Sequence, residues 1–307
     1  MRAPAALSGS YVPLVTPLRD GQVDHAAYER LVAIQIAGGS DGIVVTGTSG
    51  EPSTLTTWER IGLVRTAVGA AAGRIGVVAA TGSQSLAETL EITAGAEAAG
   101  ANAVLVVTPY YIRPPQRGLI AYFEQVAAST SLPVLIYHIP GRAAVSLTVD
   151  TVLAIRAAAP NVVGIKHAVD DLNFAAELLV RAGEGFSLFC GLEHLSFPIL
   201  ALGGSGLMNA LGNLAPRPLA AMCEAVRQDR LHDARALHER LLELNQAVFW
   251  DTNPIPVKYL MMRCGLLESN EHRLPMTGPT PELAARLDDL AARAQQAGLL
   301  PALAAAG

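Results

Sequence analysis

Cysteine is scarce in this 307-residue chain, with only Cys190, Cys223 and Cys264. They are far apart, odd in number and form no C-x-x-C, so neither a disulfide framework nor a zinc site is predicted. Basic charge is not in excess either: 22 Lys and Arg stand against 27 Asp and Glu, a formal net charge of −5. Without basic runs there is no general electrostatic pull toward nucleic acid or an anionic membrane, and neither is an expected partner. No apolar stretch approaches the ~18–20 residues that span a bilayer. The opening MRAPAALSGS lacks the sustained apolar core of a secretory leader. The expectation is a cytoplasmic protein. Of the seven histidines, His232 and His238 are six apart and off a common helix face, and no H-E-x-x-H occurs. No metal site is therefore expected.

What the chain does have is apolar substance. Half of it, 51%, is hydrophobic, and the mean hydropathy is positive. This is ample for one large core. Eight short β-rich runs recur: SYVPLVTP (10–17), DGIVVTG (41–47), RIGVVAAT (74–81), ANAVLVVTP (101–109), LPVLIYHIP (132–140), NVVGIKHA (161–168), GFSLFCG (185–191) and GSGLMNA (204–210). Most are apolar throughout rather than alternating, as parallel strands covered on both faces require. Between them lie helix patterns with caps. Asp24 precedes HAAYERLVAIQIAG. Ser85 precedes LAETLEITAGAEAAG, with Glu88 placed for a capping box. Thr148 or Asp150 starts TVLAIRAAA, which stops at Pro160.

Eight βα units predict a (β/α)8 TIM barrel over residues 1–230. An open doubly wound sheet is the structural alternative, but no Gly-rich dinucleotide fingerprint follows the first strand. Residues 231–307 read as a C-terminal helical extension packed on the barrel, with helices over 231–249, 254–265 and 280–297 and NPIPVK between the first two.

One residue sits oddly in this pattern. Lys166 lies inside an otherwise apolar strand, and an unpaired buried ammonium costs several kcal/mol. Gly164, Lys166 and Ala168 share one face of the strand, leaving room for a long side chain inside the barrel. Burial disfavours the ammonium form and frees the amine lone pair for attack on a ketone. The resulting iminium withdraws electrons from the neighbouring carbon. The bland alternative is a lysine reaching outward from a strand end.

Other candidates stand after neighbouring strands, where such barrels place their chemistry. Tyr137 in IYHIPGR (136–142) can pass protons, and Arg142 can fork a carboxylate; equally, they could be a barrel-lining aromatic and a surface arginine. Thr48 and Ser49 in TGTSGEP (46–52) offer hydroxyls, or simply make a turn. TPYYIRPP (108–115) holds two adjacent tyrosines in a proline-stiffened loop suited to a neighbouring subunit's site or a plain dimer contact. His138 and His167 follow Tyr137 and Lys166, so alternation turns them toward the helix layer and a packing role. GGSG (203–206) precedes the eighth strand and reads as a tight turn, and Asp170-Asp171 fit a helix N-terminus.

Taken together, GTSGE, TPYY, Y-x-x-P-x-R, GIK and NPIPVK resemble the dihydrodipicolinate synthase / N-acetylneuraminate lyase family of pyruvate-dependent class I aldolases, and the resemblance runs the length of the chain. It implies that Lys166 forms a Schiff base with pyruvate and that Tyr137 is the general acid/base. It further implies that Thr48 and a Tyr111 supplied across a dimer interface complete a proton relay, and that Ser49 helps bind the pyruvate carboxylate. Arg142 is similar to the arginine with which the synthase branch holds its aldehyde's carboxylate. Gly191 and Met208 match positions lining the substrate mouth. The implied partners are pyruvate and a small aldehyde or 2-oxo acid, foremost L-aspartate 4-semialdehyde on the route to lysine. The implied assembly is a homotetramer, a dimer of dimers. No cofactor is called for, because the lysine is itself the electron sink. A catabolic 2-oxo acid aldolase or dehydratase is the alternative, and a catalytically silent binding barrel the second. The chain departs from the synthase pattern at GIKHAVDD, CGLEH (190–194) and GLMNA (206–210), all expected at the mouth. Around the lysine feedback site of some synthases, Tyr110 and Glu88 match, but Pro52, Thr57 and Arg60 replace a serine and two histidines. Weak or absent lysine inhibition is predicted.

Overall fold

The computed structural model describes residues 7–300. The outer ends of both expected segments, residues 1–6 and 301–307, lie outside the described residues. Eight parallel strands close a barrel: β1 Gly9–Pro13, β2 Gly42–Val45, β3 Gly76–Ala80, β4 Ala103–Val107, β5 Val134–His138, β6 Val162–His167, β7 Ser187–Cys190 and β8 Gly206–Leu207. All eight fall within or overlap the runs read from the sequence, as a (β/α)8 barrel requires. The ladders are shorter than those runs: all but the first strand begin one or two residues late, and the last residues of each run leave the sheet to build the loops of one barrel end. The eighth shrinks most, from seven residues to two, although Met208 N still donates to Cys190 O at 2.8 Å.

The caps largely follow the sequence. Asp24 accepts from Ala27 N at the start of helix His25–Gly38, and Gly39 ends that helix at φ 80°, a conformation that costs glycine least. Thr148 and Asp171 cap helices Val149–Ala158 and Leu172–Ala182. The capping box expected at Ser85 is only half formed. Ser85 accepts from Glu88 N, but the Glu88 carboxylate takes the Ser83 hydroxyl instead of reaching back. A complete box occurs one helix earlier, between Thr56 and Glu59.

The core has two layers. An inner cluster, including Tyr11, Leu105, Leu135, Tyr137, Phe189 and Met208, fills the barrel. An outer cluster joins the other strand faces to the helices. It continues into the C-terminal helices Leu231–Arg240, Leu242–Ala247, Ile255–Arg263 and Pro281–Gln296 through residues such as Leu244, Leu260 and Leu287. The first expected extension helix is thus divided at Leu241. Among the described residues, no helix is long and apolar enough to cross a membrane.

One irregularity in the sheet bears on the site. Val134 pairs with Val162, but Leu135 pairs with Gly164, leaving Val163 as an extra residue in β6. Beyond this bulge the register is regular, and Tyr137 stands beside Lys166 and Lys166 beside Phe189. Bulges re-aim side chains in this way near functional sites.

Candidate active site

Lys166 enters the barrel from β6 and is 3% exposed. Its Nζ stands 4.3 Å from the centroid of the Tyr137 ring, contributed by β5. Tyr137 Oη in turn lies 3.1 Å from Thr48 Oγ1, at the start of the turn Thr48–Gly50 after β2. Three residues far apart in sequence therefore meet inside the C-terminal mouth, the amine over the phenol ring and the phenol hydroxyl against the threonine hydroxyl. Gly191, just after β7, makes the space. A Cβ there would lie 2.9 Å from Lys166 Cε and 2.9 Å from Ala168 Cβ. Met208 follows β8, is buried and belongs to the inner cluster with Tyr137.

Ser49 is buried, and its Oγ accepts from Asn253 Nδ2 at 3.0 Å. Arg142 lies in the single turn Pro140–Ala143 and donates from Nη2 to Asn253 O at 3.2 Å. Tyr111 is not brought to this group within the chain. It is 85% exposed, with φ 73°, in the loop after β4. Neither Tyr137 nor Thr48 has a hydrogen bond to it among the described residues.

The departures from the synthase pattern divide into two kinds. Glu193, in a stretch expected at the mouth, is not there, whereas His167 takes the orientation toward the helix layer that alternation predicts. Its ring stacks on Phe174 with ring centroids 4.8 Å apart. His138 lies beside it, 5.4 Å away between ring centres. Burial first, then the neighbouring imidazole, pushes His138 down to about 3, so both rings pack as neutral groups. Glu193 is 1% exposed and its Oε1 accepts from Ala210 N at 2.6 Å and Leu211 N at 3.3 Å. Those N–H groups begin the 3-10 turn Ala210–Asn213, so the carboxylate caps it. Burial raises the Glu193 carboxyl to about 7, opposed by the backbone N–H groups and the Lys166 charge.

Four residues were given no role by the sequence reading: Lys258, Glu51, His272 and Asn253. Lys258, in the apolar stretch IPVKYLMM, is 0% exposed. Its Nζ is 2.8 Å from Glu51 Oε1, and the other Glu51 oxygen is 3.0 Å from His272 Nδ1. Burial opposes the charge on Glu51, but His272 and Lys258 outweigh it and keep the carboxylate ionised. This buried group ties the loop after β2 to the C-terminal segment. The argument that singled out Lys166 applies equally to Lys258, a lone lysine in an apolar run. What separates them is the partner: Lys258 has a carboxylate, and Lys166 has no ion-pair partner among the described residues. Asn253, which holds both Ser49 and Arg142, is the fourth.

Among the described residues, no group of three or more His, Cys, Asp or Glu is placed to hold a metal ion. An amine with no counter-charge, a phenol against it and a hydroxyl on the phenol can do imine and proton-transfer chemistry with these groups alone.

Comparison with known proteins gives the same direction. The model of the dihydrodipicolinate synthetase family matches residues 6–294. A 4-hydroxy-tetrahydrodipicolinate synthase of Thermus thermophilus is 45% identical over 294 residues, 95% of this chain and 97% of the relative. The crystal structure of dihydrodipicolinate synthase from Aquifex aeolicus superposes with a TM-score of 0.92 at 37% identity, covering 96% of this chain and 99% of the other. The structure of the 4-hydroxy-tetrahydrodipicolinate synthase of Methylacidiphilum fumariolicum gives 0.92 at 38% identity, covering 94% and 96%. A match that spans both chains almost end to end cannot come from the barrel alone, and with it the chain belongs to the dihydrodipicolinate synthetase family.

Proposed function

We propose that the protein condenses pyruvate with L-aspartate 4-semialdehyde to give 4-hydroxy-tetrahydrodipicolinate through a Schiff base on Lys166. The observation that carries this reading is the unpaired Lys166 amine 4.3 Å from the Tyr137 ring, inside a chain so closely matched to synthases. The amine adds to the pyruvate ketone, and the carbinolamine loses its hydroxyl as water. Tyr137, coupled to Thr48 at 3.1 Å, supplies that proton and later takes one from the pyruvate methyl, turning the iminium into an enamine. The enamine carbon attacks the aldehyde, whose oxygen takes up a proton. Hydrolysis then releases Lys166, and ring closure between the 2-amino group and the freed ketone completes the product. In sum, one pyruvate and one semialdehyde give the cyclic acid and one water.

Ser49 and Arg142 are the groups for the two substrates' carboxylates, and Gly191 and Met208 shape the space beside them. Tyr111 is the residue offered to a second copy. Its 85% exposure in a loop bounded by Pro109, Pro114 and Pro115 supports a homotetramer built as a dimer of dimers, with that loop crossing one interface. A cytoplasmic setting fits three unpaired, buried cysteines.

The test is incubation with pyruvate and borohydride, digestion and mass spectrometry, followed by turnover of aspartate semialdehyde against other aldehydes and 2-oxo acids. A reduced adduct on Lys166 and preferred turnover of the semialdehyde are expected. An adduct with preferred cleavage or dehydration of another 2-oxo acid would shift the reading to a catabolic aldolase or dehydratase. No adduct in folded protein would overturn the imine mechanism and leave a silent barrel.

A further inference from the structure

Asn253 stands in the connection between helices Leu242–Ala247 and Ile255–Arg263, outside every barrel strand. It is 9% exposed, yet it touches two groups at the barrel mouth that come from different loops. Its side-chain Nδ2 donates to Ser49 Oγ at 3.0 Å, after β2. Its main-chain oxygen accepts from Arg142 Nη2 at 3.2 Å, after β5.

The direction of these bonds matters. A serine hydroxyl has one proton to give and two lone pairs to receive. With Asn253 Nδ2–H on one lone pair, the Ser49 proton is left free for another acceptor. The competing bond, Ser49 Oγ to Asn253 Oδ1, is 3.5 Å long, at the limit of hydrogen bonding and much the weaker. Arg142 behaves in the same manner. Asn253 O occupies one of its five N–H groups, which fixes the guanidinium and leaves the others for a carboxylate.

We infer that Asn253 is a positioning residue for substrate carboxylates: its amide turns the Ser49 hydroxyl into a donor aimed at pyruvate, and its carbonyl anchors Arg142 for the second substrate. The inference rests on the reading of Ser49 and Arg142 given above. It assigns the C-terminal segment a part in substrate binding, through one residue with two separable arms. The side-chain arm serves pyruvate, and the backbone arm serves the aldehyde.

That separation supplies the experiment. Asn253→Ala removes the amide and keeps the carbonyl. The KM for pyruvate should rise about 10-fold, the loss of one hydrogen bond to a charged group, while the KM for the semialdehyde and kcat stay within about threefold. Asn253→Asp keeps the shape but can only accept from Ser49, and it sets a like charge beside the substrate carboxylate. Its pyruvate KM should rise further, by roughly 100-fold. The deciding measurement is the double-mutant cycle with Ser49→Ala. If Asn253 acts through Ser49, Asn253→Ala adds less than about twofold to the pyruvate KM in the Ser49→Ala background. Equal, multiplying effects in both backgrounds, or a fall in kcat with KM unchanged, would overturn the inference and leave Asn253 a packing residue. Should the alanine variant be too unstable to assay, Asn253→Leu, which keeps the side-chain volume and removes the amide without adding a charge, runs the same cycle. Wild-type protein that traps no pyruvate on Lys166 would sink the functional reading itself, whereas a trapped wild type with an additive cycle sinks only the role of Asn253.

Discussion

Replacing Gly191 with alanine tests the site through one methyl group. The backbone there is outside the left-handed region, so alanine meets no conformational penalty, and the question is one of space alone. The new Cβ would lie 2.9 Å from Lys166 Cε and from Ala168 Cβ, and 3.3 Å from His167 O. Carbon atoms rest at about 3.5–4.0 Å, so the deficit is about 0.6–1 Å. Ala168, just past β6, is held by its N–H on His138 O at 2.9 Å, and His167 O by the Gly191 N–H at 2.8 Å. The lysine stem is what can give. The amine then shifts by a similar distance from its place over Tyr137, and a misplacement of about 1 Å costs on the order of 100-fold in rate. Overpacking itself costs about 1–3 kcal/mol of stability. The assay is the rate of borohydride-trapped pyruvate adduct in rapid-quench samples, beside kcat/KM and a thermal melt. The expected result is a trapping rate about 100-fold down in protein that remains folded. Trapping at the wild-type rate, with the methyl accommodated elsewhere, would refute both the geometry and the place of Gly191 in the site.

Two further predictions follow from buried charges. The Glu193 carboxyl is raised from 4.5 to about 7, so the native protein holds that proton while the unfolded chain has already released it. Stability is unaffected by this group below about pH 4.5, falls as pH rises toward 7, and is lower by about 3 kcal/mol above that. Glu193→Gln removes the titration, so urea melts at pH 4.5 and pH 8 should show the variant gaining about 3 kcal/mol on the wild type across that span; parallel pH dependences would refute it. Free L-lysine should inhibit by less than about twofold at millimolar concentration. Arg60 is 5% exposed, donates to Ala80 O at 2.9 Å and feels the charge of Glu88, so a second cation there would meet one already fixed in the fold. Strong inhibition in a lysine titration would contradict this.

Much of the molecule was legible in its sequence. Eight apolar runs and their caps determined the barrel, because burial on both faces demands continuous apolar strands, and a cap needs only a side chain three residues from an orphan N–H. The Lys166 and Tyr137 positions were legible for a related reason: a polar residue inside an apolar run must be explained by partners or by chemistry. That logic has no power to choose between Lys166 and Lys258. Only the tertiary structure separates them, by setting Glu51 2.8 Å from the second and, among the described residues, no ion-pair partner on the first. Glu193 and Asn253 were likewise decided in three dimensions. One lies at the mouth in sequence order but folds behind it onto Ala210 and Leu211, and the other arrives from the C-terminal segment to hold two loops together. Local sequence carries periodicity and capping, because these depend on neighbours along the chain. Ion pairs and hydroxyl orientation depend on neighbours across it: Asn253 lies 204 residues from Ser49, and no pattern read along the sequence brings the two together.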